Sequence, residues 1–260
     1  MGRNNLLITI IVAVLNGSAT LERCIKSIIG QRVSFKELIV MDGGSTDKTI
    51  SILKAYNSDI AFWESNADRG IYHAWNKALI HSHGEWLCFL GSDDYFLHDG
   101  VLACMIPYLN RATDYGTRIV YGQVTKVDRQ GRVIKLEGKT WEKISWMMRH
   151  GMPLIHSGIF HKRSLFDEHG LFDESYKIAG DYEFLLRELK TTQALFAEGI
   201  RTVAHEIGGL SDSHKIETLR EISRARRKHG FPAFSWVWTI VYIRALLQKR
   251  WKQISRKKSA

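Results

Sequence analysis

The sequence predicts an α/β protein with a doubly wound, mostly parallel sheet, followed by a helical, basic C-terminal extension. Two observations predict the sheet. Four short apolar runs, at 6–15, 37–41, 60–63 and 86–90, alternate with stretches of helical spacing. Each of the runs at 6–15, 37–41 and 86–90 also ends in polar, turn-forming residues. A third observation, the placement of charge, sets the C-terminus apart. Residues 1–219 hold 25 Lys and Arg against 26 Asp and Glu, whereas residues 220–260 hold 12 against one, Glu221. The net charge of +10 therefore belongs to the tail. A nearly neutral body argues against a nucleic-acid-binding domain.

Length and composition are those of a globular chain. Its 260 residues can bury a sizeable core, with 45% hydrophobic residues, 25% charged and only 3 Pro. Cys24, Cys88 and Cys104 are few, widely spaced and without zinc-ligand spacing, as expected of reduced core residues in a cytosolic protein. The apolar start at 6–15 lacks a small-residue cleavage site and reads as a first core strand, not a signal segment.

The run at 6–15 is β-branched and continuous, the pattern of a strand buried on both faces. Asn16-Gly17-Ser18 turns the chain into a helix over 20–31, with Leu21, Cys24, Ile25, Ile28 and Ile29 on one face. A strand at 37–41 ends in Asp42-Gly43-Gly44-Ser45-Thr46-Asp47, where Ser45 or Thr46 is placed to cap the next helix. A third strand at 60–63 precedes a helix over 70–81. The fourth, at 86–90, opens into Gly91-Ser92-Asp93-Asp94. Further on, 119–127 and 132–136 read as a hairpin, 141–149 as a short helix and 156–161 as a strand. Residues 163–169 follow, with a turn at Gly170; 181–189 read as a helix and 194–205 as a return to the sheet.

The chemistry lies in carboxylates after successive strands. There is no Gly-x-Gly-x-x-Gly after the first strand, no Gly-Lys-Ser/Thr loop and no Gly-x-Ser-x-Gly elbow. Asp42 is placed to accept a hydrogen bond from a base or ribose. Asp93 and Asp94 repel each other unless a cation or donors offset them, and they suit Mg²⁺ or Mn²⁺; the alternative is a polar cap before 95–109. Asp181, at a helix start, is either an N-cap or a general base. His81 and His83 suit a metal less well than simple exposure.

These pieces together resemble glycosyltransferase family 2, the inverting enzymes with the GT-A fold. The resemblance runs over about residues 6–212. It includes Asp42-Gly-Gly-Ser-Thr-Asp47, Asp68-Arg-Gly-Ile-Tyr72, Gly84 to Asp94, His156-Ser-Gly158 and Ala179-Gly-Asp-Tyr182. It is closest in character to the branch that builds bacterial surface polysaccharides and glycolipids. The resemblance implies a nucleotide-sugar donor, most simply a UDP-sugar, and a glycan or lipid-linked acceptor. It implies Asp94 as metal ligand for Mn²⁺ or Mg²⁺, with Ser92 and Asp93 toward the nucleotide. Ala13, Val14 and Asn16 would line the base pocket with Asp42 beside it. Asp68, Asn76 and Lys77 would contact the nucleotide or donor, Asp181 would be the catalytic base, and His156 would stand near the acceptor or diphosphate. Two departures matter: Gly43 stands where many members carry a second acid, and Ser92 opens the acidic motif.

The expected organisation is a catalytic domain over 1–215, with a nucleotide-sugar half (1–98) and an acceptor half (99–215), and an extension over 216–260. Residues 231–247 are apolar and Trp-rich, and Lys and Arg follow to 258. That composition suits the interface of an anionic membrane, with Arg224, Arg226, Arg227 and Lys228 extending the basic face. The competing readings are packing on the body and homo-oligomerisation. The expected location is cytoplasmic, peripheral on the inner face of the cytoplasmic membrane. Two other functions compete: a non-catalytic binding or scaffold protein of this fold, and a sugar nucleotidyltransferase.

Overall fold

Four parallel strands carry the first half of the molecule: β1 (Ile8–Val14), β2 (Lys36–Asp42), β3 (Phe62–Ser65) and β4 (Trp86–Gly91). The computed structural model describes residues 7–209, 213–232, 235, 239–240 and 242–243. β1 lies between β2 and β4, and β3 flanks β2. The register sets up the site. Val14 pairs with Asp42, Ala13 with Gly91, and Asp42 with Ser65. The loops after these strands therefore open along one edge, where open α/β sheets take ligands.

After β4 come β5 (Tyr95–Phe96), β6 (Ile119–Val127), β7 (Val133–Glu137), β8 (Ile159–Lys162) and β9 (Leu195–Glu206). The strand order is β3-β2-β1-β4-β8-β6-β9-β5, with β7 paired to β6. β8 runs against both β4 and β6, while β9 is parallel to β6 and antiparallel to β5. Only residues 92–94 separate β4 from β5 in the chain, yet three strands lie between them in the sheet. The sheet must curl to bring β9 and β5 over the end of β4. The acidic turn sits on that closure.

The helices are α1 (Leu21–Ile29), α2 (Thr49–Ala55), α3 (Ile71–His81), α4 (Val101–Asp114), α5 (Trp141–Ile144), α6 (Ser164–His169), α7 (Gly180–Leu189) and α8 (Lys215–Lys228). Two cores flank the sheet. Ile8, Ile10 and Val12 face Leu21, Cys24, Ile25 and Ile28 of α1 on one side. Ile11, Leu87 and Phe89 face α3, α7 and Ile222 of α8 on the other. Side chains on both faces are buried, which is why these strands read as unbroken apolar runs.

Several expectations are corrected. Neither Ser45 nor Thr46 caps α2, which begins at Thr49; Asp47 Oδ1 accepts the Thr49 amide at 2.9 Å instead. The segment after Asp94 first forms β5 and becomes helical only at Val101. In 156–161, the first three residues make a 3₁₀ turn before β8. Cys24 and Cys88 are buried, but Cys104 is exposed on α4. His81 stacks on Phe62 and His83 pairs with Glu37, so they do not act as a pair.

One basic residue of α8 is turned into the body. Arg226 is 1% exposed and donates to the carbonyls of Arg149 and Pro232, each at 2.8 Å. Lys228 pairs with Asp173 and Glu183, and Arg224 lies over the Tyr176 ring. Burial thus removes Arg226 from the expected basic face; Arg224, Arg227 and Lys228 remain exposed. The stretch 231–258 expected at a membrane lies outside the described residues, apart from 231, 232, 235, 239, 240, 242 and 243. Among the described residues, no helix is long and apolar enough to cross a membrane.

Candidate active site

The loops after β1 and β2 are tied together by Asn16 and Asp42. Asn16 adopts φ 52°, a left-handed conformation that Asn tolerates better than most residues. Its amide donates to Ser45 Oγ at 2.7 Å, and its Oδ1 accepts from the Thr46 amide at 2.9 Å. Asp42 is fully buried. Its Oδ2 accepts from the Gly44 amide (3.1 Å), the Ser45 amide (2.9 Å) and Ser65 Oγ (2.6 Å), and its Oδ1 from Ser45 Oγ. A carboxylate so enclosed holds the loop and presents no acceptor to a base or ribose, contrary to the expectation from sequence. Val14 is likewise 5% exposed and packed in the core, not lining a pocket, and Ala13 is partly buried. The exposed apolar side chain here is Leu15, at 64%. A β-carbon at Gly43 would stand 3.6 Å from both Leu15 Cδ1 and Asp68 Oδ2, so these three positions adjoin.

The turn after β4 carries the acids. A β-carbon at Gly91 would stand 2.5 Å from Asp93 Oδ1 and 3.4 Å from Asp94 Oδ2. Both carboxylates thus crowd the face of a residue with no side chain. Burial and then the charge of Asp94 raise the Asp93 pKa above the ordinary carboxylate value. Asp94 is 3% exposed; its Oδ1 meets His205 Nδ1 at 2.9 Å and the Glu206 amide at 3.3 Å. Burial alone would lower the His205 pKa, but the bond to Asp94 and the charges of Asp94 and Asp93 carry it upward. Arg23 closes the turn from α1, donating to the Asp93 carbonyl at 2.9 Å and to Glu206 at 2.8 Å. Ser92 faces the loop after β1, with its Oγ 3.0 Å from where a Gly17 β-carbon would be.

Among the described residues, no three or more His, Cys, Asp and Glu side chains form a ready-made metal cage. The donor chemistry nevertheless fits Mg²⁺ or Mn²⁺. Two crowded carboxylates supply hard oxygen ligands, and such ions take their remaining ligands from phosphate and water.

Asp181 is the second residue of α7. Burial pushes its carboxyl up to about 6, against the pull of hydrogen bonds from the Tyr182 amide (2.8 Å) and the Tyr72 hydroxyl (3.3 Å). The neighbouring Gly180 explains the local sequence. A β-carbon there would lie 2.8–2.9 Å from the Tyr72 ring. Only glycine lets that ring reach the acid. The loop before Asp181 is held from α8: the amides of Lys177, Ile178 and Ala179 donate to Glu221 at 2.8, 2.8 and 2.9 Å.

The remaining predicted residues divide. Lys77 is brought to Asp68 (2.8 Å) and Glu64 (2.6 Å), and His73 also meets Asp68 at 2.9 Å. Asn76 is 5% exposed and spends its amide on Phe172 O (3.0 Å), Phe172 N (3.0 Å) and Glu174 (3.1 Å). It fastens a strap to α3 and does not face a donor, again contrary to expectation. His156 stacks on Trp75 with ring centroids 4.9 Å apart, and burial holds its pKa well below the ordinary histidine value.

The sequence profile of glycosyl transferase family 2 matches residues 9–170. The chain belongs to that family. It is a glycosyltransferase by family and has the GT-A fold. A PGL/p-HBAD biosynthesis glycosyltransferase of Mycobacterium bovis (strain BCG / Pasteur 1173P2) is 28% identical over 214 residues, 79% of each chain. S. aureus TarS 1-349 in complex with UDP-GlcNAc superposes with a TM-score of 0.65 at 18% identity, covering 85% of this chain and 66% of that one. The mannosyltransferase PcManGT from Pyrobaculum calidifontis, in complex with GDP-Man and Mn²⁺, gives 0.63 at 19% identity, covering 86% and 64%. This chain thus spans just under two thirds of each of those structures.

Within this family member, sequence reasoning missed Leu15, Arg23, Tyr72, His205 and Glu221. His205 and Glu221 lie 111 and 40 residues from the acids they serve, and no local motif marks them. Leu15 had a signal: it ends the first apolar run at the point where the strand leaves the sheet.

Proposed function

We propose that this family 2 enzyme transfers a sugar from a nucleoside-diphosphate sugar to an acceptor hydroxyl with inversion. The observation that carries the reading is Asp181: a carboxyl raised to about 6 at a helix start, held by Tyr72. Above that pH it is ionised and able to take a proton, the property a general base needs. As the acceptor oxygen bonds to the anomeric carbon, its proton passes to Asp181. The bond from that carbon to the diphosphate oxygen breaks on the opposite face. Leu15, Gly43 and Asp68 are assigned to the base end of the nucleotide, and Asp93, Asp94 and His205 to the diphosphate end. A divalent ion held by Asp94 and His205, with Asp93 beside it, would supply positive charge to the leaving diphosphate. The TarS complex with UDP-GlcNAc supports a UDP-sugar donor, and the mannosyltransferase complex with Mn²⁺ supports the metal. The mycobacterial glycosyltransferase supports a glycolipid acceptor. The basic, Trp-rich stretch 231–258 is read as holding the enzyme on an anionic membrane, on the strength of its composition.

The test is a panel of nucleotide-sugars scored for binding and hydrolysis, with Mn²⁺ and with chelator. A metal-dependent signal for one donor class is expected, and Asp94→Ala and His205→Ala each weaken Mn²⁺-supported donor binding at least tenfold. Donor binding that ignores both chelator and these substitutions removes the metal assignment. No response to any nucleotide-sugar removes the function.

A further inference from the structure

One face of α1 holds the chain around the acidic turn. Ser27 Oγ accepts the Phe96 amide at 3.1 Å. Just past the helix, Gln31 donates to the His98 carbonyl at 2.7 Å and accepts the Leu102 amide at 3.0 Å. At the other end Cys24 Sγ lies 3.7 Å from the Gly91 carbonyl, and Arg23 reaches the Asp93 carbonyl. Residues 23, 27 and 31 are four apart in sequence, the spacing of neighbours on one helix face. α1 is thus a splint along residues 91–102, and Arg23 is its charged end. We infer that Arg23 is a positioning residue for the divalent ion: it ties the Asp93 backbone to Glu206 and so holds the turn at 92–94 in the shape that presents Asp93 and Asp94 to the metal. This inference rests on the reading of that turn as the metal site.

The place of Arg23 in its own helix is the first argument. It is the third residue of α1. A cation in the first turn works against the helix macrodipole, so the helix itself gains nothing from it. What Arg23 gains lies across the fold.

The second argument is which parts it joins. One nitrogen, Nη2, donates both to the carbonyl of Asp93, just after β4, and to Glu206, the last residue of β9. The guanidinium also lies over the Tyr95 ring, 4.4 Å from its centroid, and Tyr95 pairs with Ala204 where β5 meets β9. Arg23 therefore sits on the seam where the curled sheet closes. Glu206 is no remote anchor: its amide donates to Asp94 Oδ1, and its neighbour His205 meets the same oxygen. A shift of Glu206 would carry both partners of Asp94 with it. Groups that orient a metal's ligands from behind set its affinity nearly as strongly as the ligands themselves.

The third argument is charge. Glu206 is 9% exposed, and among the described residues Arg23 is the cation within ion-pair distance of it. Arg23 thus keeps a third acid engaged beside two carboxylates that already crowd each other.

The test is Mn²⁺ titrated into the full chain with saturating UDP, followed by electron paramagnetic resonance, with UDP binding measured calorimetrically in chelator. Charge alone predicts that Arg23→Ala, by removing a cation, tightens Mn²⁺ binding. The positioning role predicts the opposite: Mn²⁺ affinity falls by about tenfold or more, while metal-free UDP affinity stays within about twofold of wild type. Arg23→Lys should lie between the two, because an ammonium keeps the charge without the planar fork. The Arg23 side chain is 36% exposed, so neither change opens a cavity in the core. Unchanged or tighter Mn²⁺ binding in Arg23→Ala overturns the inference and leaves the metal reading in place. An equal fall in metal-free UDP affinity also overturns it, by showing a general loosening of the nucleotide half. A wild-type chain that binds UDP but no Mn²⁺ removes the metal reading and the inference with it.

Discussion

The Tyr72 hydroxyl lies 3.3 Å from Asp181 Oδ1, and the two groups push each other's protons in opposite directions. The tyrosine's hydrogen bond favours the ionised acid, while burial and the acid's charge raise the tyrosine pKa well above its ordinary value. Tyr72 therefore stays a donor throughout the pH range in which Asp181 titrates.

Tyr72→Phe removes that donor and keeps the ring against Gly180. The Asp181 pKa should then rise beyond about 6. The acid limb of the pH–rate profile is expected to move up by roughly one pH unit, the scale of one hydrogen bond. An acid limb that stays in place would show that Tyr72 acts only through its ring.

Asp181→Asn should abolish transfer while sparing donor binding, and should also stabilise the fold. The acid's pKa is raised on folding, from the ordinary 3.8 to about 6. The folded state thus prefers the neutral acid. The penalty is absent below the ordinary value, grows as pH rises, and is complete above about 6. Its size is on the order of 1–3 kcal/mol after allowing for partial exposure. Urea unfolding at pH 4 and pH 8 measures it: the variant gains over wild type at pH 8 and not at pH 4. Equal stability at both would place Asp181 in an ordinary solvated environment.

Glu221→Ala releases three backbone amides in the loop before Asp181. Hydrogen bonds to a charged acceptor predict a loss of about 2–4 kcal/mol in urea unfolding. Transfer should fall more than UDP affinity, because the loop leads to the base and not to the nucleotide loops. Equal losses in both would point to general loosening.

Asn76→Ala separates a structural role from donor contact. Its amide makes three bonds to the 172–174 strap and is 5% exposed. A stability loss of about 2–3 kcal/mol is expected, with UDP affinity within threefold of wild type. A tenfold loss of UDP affinity in a folded variant would return Asn76 to the donor site.

Three of the four parallel strands, β1, β2 and β4, were legible because each is buried on both faces and its apolar run ends at a polar turn; β3 is a half-buried edge strand. The acids were legible for the same reason: Asp93, Asp94 and Asp181 stand where strands or helices begin and end. Their partners were not. His205 reaches Asp94 only because the sheet curls, and sequence spacing carries no record of curvature. Asp42 and Asn76 looked like ligand contacts because polar residues at strand ends and on helices usually face water. Here Ser45, Ser65 and Phe172 satisfy them inside the protein. Within the basic run of α8 only Arg226 departs from the expected face, because charge counts along a chain do not distinguish an exposed Arg from one whose guanidinium serves two buried carbonyls.

The closure of the sheet at residues 92–94 has a consequence for timing. β1, β2, β3 and β4 can pair using residues 8–91 alone. Arg23 finds Glu206 across 183 residues, and Asp94 finds the Glu206 amide across 112. Contacts so far apart in sequence form late, since the intervening loop must close first. A chain emerging from the ribosome thus displays its acidic turn long before the imidazole and amide that complete it have been made. A partly synthesised chain carries its four parallel strands while the turn at 92–94 still lacks His205 and Glu206.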